Sequence, residues 1–505
     1  MKSRATTALF GQRRPHAGPA RTPEAARWYI PPPPPPAALP ASTWNRSVST
    51  LPAPIPFRQE ARALLALGVP IILSQVAQVV MGLLDTVMSG HAGAFEQAVV
   101  GLGVSLWIPV FIGLMSVVQA VSPLIAHHFG AGDHAAVARD AREGIWLALY
   151  CGLIPLLLVP LAPPLLEAFD IDPKLAARTG VFLWGIVLGL PAALVYRSLA
   201  FYSSSINQTR PVMVLAFVGL AVNGLLNWVL IYGHLGLPAM GGAGCGWATG
   251  IGMWVSLVAL AAWTARAAAY KSTYVWRDWR RPTWEAQKRL LKLGLPMGGA
   301  GVAEVLAFCS VAVLVGRFGD VQIAAHQIGL NSSALIFMFP MGISAAITVR
   351  VGHALGAGDA RAARHTAWCG IGVGLIFATL AIVPIILLRH EVAALYSSDA
   401  AVQALAANLL LFAAFWQWFD ATQVTAIGAL RGYKVTVLPM VLMLAAFWLL
   451  GVPTGIWLGW FGAFGSGPLQ VYGFWVGLVI GLVTVSLGLA AGVRHVADRT
   501  VRERG

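Results

Sequence analysis

Long apolar runs recur along this chain, and short polar segments separate them. A helix needs about 20 predominantly apolar residues to cross a bilayer, and twelve runs reach that length. Several contain Gly or Pro, which membrane helices tolerate because neighbouring groups satisfy the freed backbone hydrogen bonds. The pattern predicts an all-α integral membrane protein with spans at about 62–88, 95–120, 143–164, 179–201, 211–233, 244–266, 293–316, 322–349, 366–388, 402–430, 436–458 and 471–493.

The composition supports this class. Hydrophobic residues make up 58% of the chain and charged residues 11%, and the mean hydropathy is +0.73. Soluble domains carry about 25% charged residues, so a soluble protein is excluded.

The net charge of +14 is explained by topology. Because the number of spans is even, both chain ends lie on one side of the membrane. All but four of the 34 Lys and Arg residues are predicted on that side, which we call the basic side; the opposite side receives Lys174, Arg178, Arg317 and Arg389. By the positive-inside rule both termini are expected in the cytoplasm. The positive charge is therefore no sign of nucleic-acid binding.

An internal repeat divides the chain into two halves. Residues 67–70 (LGVP) open the first span and 293–296 (LGLP) the seventh, while 130–133 and 356–359 both read GAGD. Both pairs are separated by 226 positions. Because each half holds six spans, both halves enter the membrane in the same orientation. We expect two six-helix bundles related by a pseudo-two-fold axis along the membrane normal, with cargo bound between them near mid-membrane.

Composition then predicts the boundaries of five segments. They are a disordered, Pro- and Arg-rich cytoplasmic tail at 1–56, an N-terminal bundle at 57–266, a cytoplasmic linker at 267–292, a C-terminal bundle at 293–493 and a basic cytoplasmic tail at 494–505.

Three carboxylates, Asp85, Glu304 and Asp420, lie inside apolar runs with no basic residue nearby in sequence. A charge at the centre of a bilayer costs roughly 2.5–3.5 kcal/mol on insertion scales, and such residues usually face a cavity and mark an ion or substrate path. Unpaired acids indicate a cationic cargo. The alternative is a structural acid that is hydrogen-bonded to nearby donors.

Glu304 and Asp420 are the candidate coupling-ion site. The repeat places Gln78 opposite Glu304, so only one half carries this charge. Asp420 precedes Arg431 by about 16 Å of helix, which excludes a salt bridge between them. If spans seven and ten face one cavity, the two carboxylates either share a cation such as sodium, or raise each other's pKa and hold protons.

Asp85, Asn223 and Asn227 form a candidate second polar or cation site. The two asparagines are four residues apart and therefore share one helix face. They either bind an ion with Asp85 or join helices by interhelical hydrogen bonds.

Four further residues are candidate accessory groups. Gln78 is the counterpart of Glu304, and His326 and Asn331 belong to a polar patch in span eight. Trp416 lies one turn before Asp420 and is placed to stack on an aromatic cation. For His326 and Trp416, simple packing is the alternative.

Energy coupling must come from an ion gradient. The chain contains no G-x-x-x-x-G-K-[ST] phosphate loop, and its polar loops are too short for an ATPase domain. No cofactor is expected other than sodium or a proton as the coupling ion.

Several motifs carry a family resemblance. They are 85–90 (DTVMSG), 324–331 (AAHQIGLN), 337–341 (FMFPM), 350–353 (RVGH) and 428–434 (GALRGYK). From about residue 60 to 490 the chain closely resembles the multidrug and toxic compound extrusion (MATE) family, in its sodium-coupled bacterial branch. The resemblance implies two six-helix bundles around a cavity that opens alternately to each side. It also implies export of organic cations against inward sodium or proton flow.

The resemblance also implies residue roles. Glu304 and Asp420 match the glutamate and aspartate of the branch's coupling-ion site, and Asp85 with its two asparagines matches the polar set of the first bundle. Trp416 stands where the branch usually has tyrosine, and Val435 stands where the family typically has aspartate.

The sequence therefore predicts a multidrug antiporter of the bacterial inner membrane. We expect it to act as a monomer on small organic cations such as drugs and dyes, with the lipid bilayer as its surroundings and no obligatory protein partner. One alternative is a flippase for lipid-linked saccharides, for which arginines are expected inside the spans. Arg197 is assigned to the basic end of its span, so no arginine is counted inside the spans. The other alternative, a polytopic membrane enzyme, is disfavoured by the short loops.

Overall fold

The computed structural model describes residues 56–462 and 467–504, and it contains twelve helices in these segments that are long and apolar enough to cross a membrane. They are numbered in chain order: α1 Phe57–Ala92, α2 Ala94–Gly130, α3 His134–Ala168, α4 Pro173–Ser205, α5 Arg210–Tyr232, α6 Gly241–Arg266, α7 Trp284–Gly316, α8 Asp320–Gly356, α9 Ala360–Leu387, α10 Ala400–Gly432, α11 Val437–Trp460 and α12 Val471–Arg504. The predicted twelve-span, all-α membrane fold is confirmed. The tail predicted at 1–56 lies, except for Pro56, outside the described residues.

Two segments predicted as polar connections are helical. Helix α7 begins at Trp284, inside the linker predicted at 267–292, and α12 continues to Arg504 through the tail predicted at 494–505. The extension of α12 carries an ion pair one turn apart, between Arg499 Nε and Glu503 Oε1 at 2.7 Å. Hydropathy falls where charged residues begin, whereas the backbone hydrogen bonds of a helix continue, so the apolar runs underestimated both helices.

The two halves repeat one packing scheme. In the N-terminal half, α4 lies at the centre and contacts α2, α3 and α6; in the C-terminal half, α10 contacts α8, α9 and α12. The pairs α1 with α5 and α7 with α11 also correspond. The central position of α4 and α10 is what places their polar side chains inside the protein.

The GAGD motif has the same geometry in both halves. Gly132 and Gly358 adopt φ values of 74° and 84°, which glycine adopts without the steric cost paid by other residues. The following aspartates cap the next helix: Asp133 accepts from the backbone N–H of Ala136 at 2.9 Å, and Asp359 accepts from Ala362 at 2.8 Å. The motif therefore ends one span and starts the next.

The halves meet through α1 and α2 on one side and α7 and α8 on the other. An ion pair crosses this interface on the basic side, where Arg350 Nε and Nη2 donate to the carboxylate of Glu60, each at 2.7 Å. Thr366 donates to the same carboxylate at 2.8 Å. Glu60 is only 2% exposed. This ion pair holds α1 against α8 and α9.

Two histidines make matching contacts across the same side. His127 Nε2 lies 2.8 Å from the backbone oxygen of Gly432, at the end of α10, and His353 Nε2 lies 2.7 Å from that of Ser205, at the end of α4. His127 and His353 are 226 positions apart. The hydrogen bonds between the halves therefore cluster on the basic side, and the structure is closed there.

Candidate functional site

The C-terminal half brings two carboxylates and an amide to one place. Glu304 projects from α7, while Asp420 and Gln423, three residues apart, share one face of α10. Gln423 Nε2 donates to Glu304 Oε1 at 2.7 Å, and Asp420 lies one turn before Gln423 on the same helix. Asp420 is 8% exposed and Gln423 is fully buried. Spans seven and ten therefore do form one polar site, which we call the α7–α10 site.

This site holds two carboxyl groups and no cation bonded to them. Among the described residues neither Glu304 nor Asp420 forms an ion pair. Arg431 acts on Glu304 only at longer range. The side-chain oxygen Oε1 of Gln423 is buried and has no hydrogen-bond partner in the described segments. Carboxylate and amide oxygens suit hard cations, and two neighbouring carboxylates also retain a proton.

The N-terminal half holds a ring of hydrogen bonds around Asp85. Asn227 Nδ2 donates to Asp85 Oδ1 at 2.6 Å and to Asn223 Oδ1 at 3.1 Å. Asn223 donates to Thr249 at 3.3 Å, and Thr249 donates back to Asp85 Oδ2 at 3.5 Å. The structure thus brings Asp85, Asn223 and Asn227 together, as the helical spacing suggests. It adds Thr249 from α6, which sequence reasoning missed because a single threonine in an apolar span carries no signal.

Gln78 does not belong to a cation site. Its side-chain oxygen accepts a hydrogen bond from Arg197 Nη2, and Arg197 Nη1 lies 3.4 Å from Gln75 Oε1. A positively charged group therefore already occupies this position. Arg197 itself lies inside α4, eight residues before the helix ends at Ser205. The expectation that the spans contain no arginine is wrong, because Arg197 lies within the helix and not at its basic end.

The internal repeat relates Arg197 to a residue of the α7–α10 site, which its position near the end of an apolar run does not indicate. Gln78 and Glu304 differ by 226 positions, and so do Arg197 and Gln423. The pairs Gln78–Arg197 and Glu304–Gln423 therefore occupy equivalent positions in the two halves.

Comparison with known proteins identifies the family. The sequence model of the MatE family matches residues 70–229 and 296–457, once in each half. The chain belongs to the MatE family.

Curated MatE relatives match along most of their length. The chain is 41% identical over 450 residues to the multidrug resistance protein PmpM of Pseudomonas aeruginosa, which covers 88% of this chain and 94% of the relative. It is 40% identical over 432 residues to the probable multidrug resistance protein NorM of Chromobacterium violaceum, covering 85% and 92%. Membership in this family makes the chain a membrane transporter and sets the enzyme alternative aside.

Solved structures of this type share the fold. An outward-facing multidrug resistance MATE family transporter of the MOP superfamily superposes with a TM-score of 0.79 at 18% identity, covering 87% of this chain and 96% of that one. The eukaryotic MATE transporter AtDTX14 superposes with a TM-score of 0.77 at 20% identity, covering 88% and 99%.

Two of the candidate accessory residues of this MatE protein, Trp416 and His326, are buried and packed against a third residue, Trp475. Trp416 is 5% exposed, and one face of its ring stacks on Trp475, with ring centres 5.1 Å apart and an interplanar angle of 20°. Trp475 Nε1 donates to Nδ1 of His326 at 3.1 Å, and His326 is fully buried. The expected stacking of a cation on Trp416 is therefore blocked on that face, and His326 supports the tryptophan. Asn331 is exposed on α8.

Proposed function

We propose that this transporter is a secondary-active multidrug exporter, which moves amphipathic organic cations out of the cell in exchange for sodium ions or protons. The α7–α10 site carries the proposal, because two helices bring Glu304 and Asp420 together without a basic side chain in ion-pair contact. The names of the curated relatives, all multidrug resistance proteins, support the same class of cargo.

The coupling ion is proposed to bind at Glu304 and Asp420, with Gln423 as a third oxygen ligand. A sodium ion would use the two carboxylates and the unpartnered Oε1 of Gln423, whereas a proton would be shared between the carboxylates. Either ion removes negative charge from a buried site and so changes the relative free energies of the two conformations. The ring at Asp85 is proposed as a second polar site for cations or protons.

Transport requires the basic side to open. The ion pair between Glu60 and Arg350 and the two histidine contacts must break in the alternate conformation. We infer that the structure represents the outward-facing state, with its closed side toward the cytoplasm. Both termini are then cytoplasmic, and the protein acts as a monomer in the bacterial inner membrane. A green fluorescent protein fused after Gly505 tests this orientation, because it fluoresces only if it folds in the cytoplasm.

A lipid-linked saccharide flippase remains the second candidate. Arg197 is the observation that favours it, since an arginine inside a span is suited to an anionic head group. Its two described partners are neutral amides. However, the charged pair of carboxylates in the other half is suited to a cationic group, which favours the exporter.

Ethidium efflux from everted vesicles tests the proposal. Efflux is driven separately by a sodium gradient and by a pH gradient, and the gradient that works identifies the coupling ion. Glu304→Gln should reduce ion-driven efflux to the background of empty vesicles. Its matched control is Glu285→Gln, the same change in an exposed residue of the same helix, which should leave efflux intact. Unchanged ion dependence in Glu304→Gln would refute the site.

A further inference from the structure

Arg197 is an arginine in the middle of the protein with only neutral partners. Its guanidinium donates to the side-chain oxygens of Gln75 and Gln78 on α1. In the described part of the chain no ion pair involves Arg197. The amides satisfy some of its N–H groups but leave its positive charge without a counter-charge.

Such a charge is costly within a membrane. Arginine inside a span is rare, faces the bundle interior or a watery cavity, and marks a substrate or ion path. The guanidinium holds its proton under all physiological conditions, so the cost is not relieved by deprotonation. An anionic group bound to Arg197 would relieve it.

The Arg197 side chain is not fully enclosed by the protein. On α4 the side chains of Tyr196, Ser198 and Leu199 are buried, whereas Arg197 keeps partial exposure. Its partner Gln75 also approaches the other half, since Gln75 Nε2 lies 3.7 Å from Met341 Sδ on α8. Arg197 and its two glutamines therefore stand beside the surface between the halves, across which cargo must pass.

The equivalent position in the C-terminal half has the opposite polarity. There Gln423 takes the place of Arg197, and Glu304 takes the place of Gln78. One half therefore presents a cation bound to amides, and the other presents a carboxylate bound to an amide. The two centres are related by the repeat, and each lies between the first and fourth helix of its half. A cargo with charges of both signs matches this arrangement.

We propose that Arg197, oriented by Gln75 and Gln78, binds a carboxylate of transported compounds. The guanidinium offers two parallel N–H groups, which pair well with a carboxylate. Substrates then include zwitterions, whose cationic end is held by the negative half of the cavity. This inference rests on the proposed export of amphipathic compounds, and it deepens that proposal by naming a second recognised group.

A matched pair of dyes tests the carboxylate contact. Tetramethylrhodamine carries a free carboxylate, and its methyl ester differs only by masking that group. Fluorescence anisotropy with the purified full-length protein gives the Kd of each dye. Arg197→Gln should weaken binding of the acid relative to the ester by roughly tenfold or more, since hydrogen bonds between charged groups are among the stronger ones. Glutamine is what the other half carries at this position, so the variant should fold.

Two further variants make the result specific. Arg197→Lys keeps the charge but loses the planar pair of donors, so its selectivity should lie between wild type and Arg197→Gln. Arg361→Gln removes an exposed arginine on the basic side and should change neither Kd. An equal loss for both dyes in Arg197→Gln, or no binding of the acid to wild type, would overturn the inference. Because binding is measured without a gradient, failure of ion-driven efflux would contradict the proposed function alone.

Discussion

The two halves of this MatE protein share one backbone plan and differ in the charges placed on it. At equivalent positions between the first and fourth helix of each half, the N-terminal half pairs Arg197 with Gln78 and the C-terminal half pairs Gln423 with Glu304. Duplication supplies two polar centres at the same depth. Different residues at these equivalent positions then give one centre a basic group and the other an acidic group.

The halves also differ in how completely their acids are hydrogen-bonded. Asp85 accepts from Asn227 and Thr249 within a ring. In the C-terminal half no hydrogen bond to Asp420 is described. Each half has a buried amide oxygen without a partner among the described residues, Asn227 Oδ1 in one and Gln423 Oε1 in the other. A carboxylate that accepts no hydrogen bond is more readily available to an ion than one that already accepts two. The proposed coupling ion is therefore expected to bind in the C-terminal half.

The largest expected effect is a difference in ion-driven efflux between variants of Asp420 and Asp85. Asp420→Asn should abolish ion-driven efflux, because it removes the charge that the coupling ion must neutralise. Asp85→Asn should keep most efflux and lower the free energy of unfolding by about 1 kcal/mol, the net value of a typical hydrogen bond. Vesicle efflux and thermal unfolding measure both. If Asp85→Asn abolished efflux while Asp420→Asn did not, the roles of the halves would be reversed.

A smaller effect is expected from the ion pair that closes the basic side. Glu60→Gln leaves Arg350 without its counter-charge. Breaking a fully buried ion pair costs about 3–5 kcal/mol. The Arg350 side chain, however, is 27% exposed. Solvent offsets part of the cost, so we expect about 2 kcal/mol of destabilisation of the closed conformation. Faster labelling of a cysteine introduced at the interface on the basic side reports the opening. Arg364→Gln, which breaks the exposed pair with Asp498, is the control and should leave labelling unchanged.

The smallest effects should be equal in the two halves. His127→Ala and His353→Ala each remove one contact to a backbone carbonyl, and each should cost about 1 kcal/mol. The same labelling experiment should show similar acceleration for both variants, because these contacts are related by the repeat. A large effect for one histidine and none for the other would show that the closure is asymmetric, like the polar centres.

The apolar runs predicted the number and order of the spans because bilayer thickness sets a minimum length that any chain must meet. Their ends were less well predicted, since charged residues lower hydropathy without breaking the helix. Arg197 was assigned to the basic end of its span, although it lies four residues before the predicted end and eight before the end of α4. The spacing of Asn223 and Asn227 placed both on one helix face, but Thr249 joined them only through helix packing.

The sequence by itself determined a twelve-span membrane protein built from two related halves, with isolated carboxylates that mark its polar interior. It did so because apolar length, basic-residue asymmetry and a constant repeat spacing are local or additive properties. Only the tertiary structure decided which polar groups meet. The contacts of Gln78 with Arg197, Glu304 with Gln423 and Glu60 with Arg350 join helices distant in sequence, and their charge balance depends on distances of a few ångströms that no linear pattern encodes.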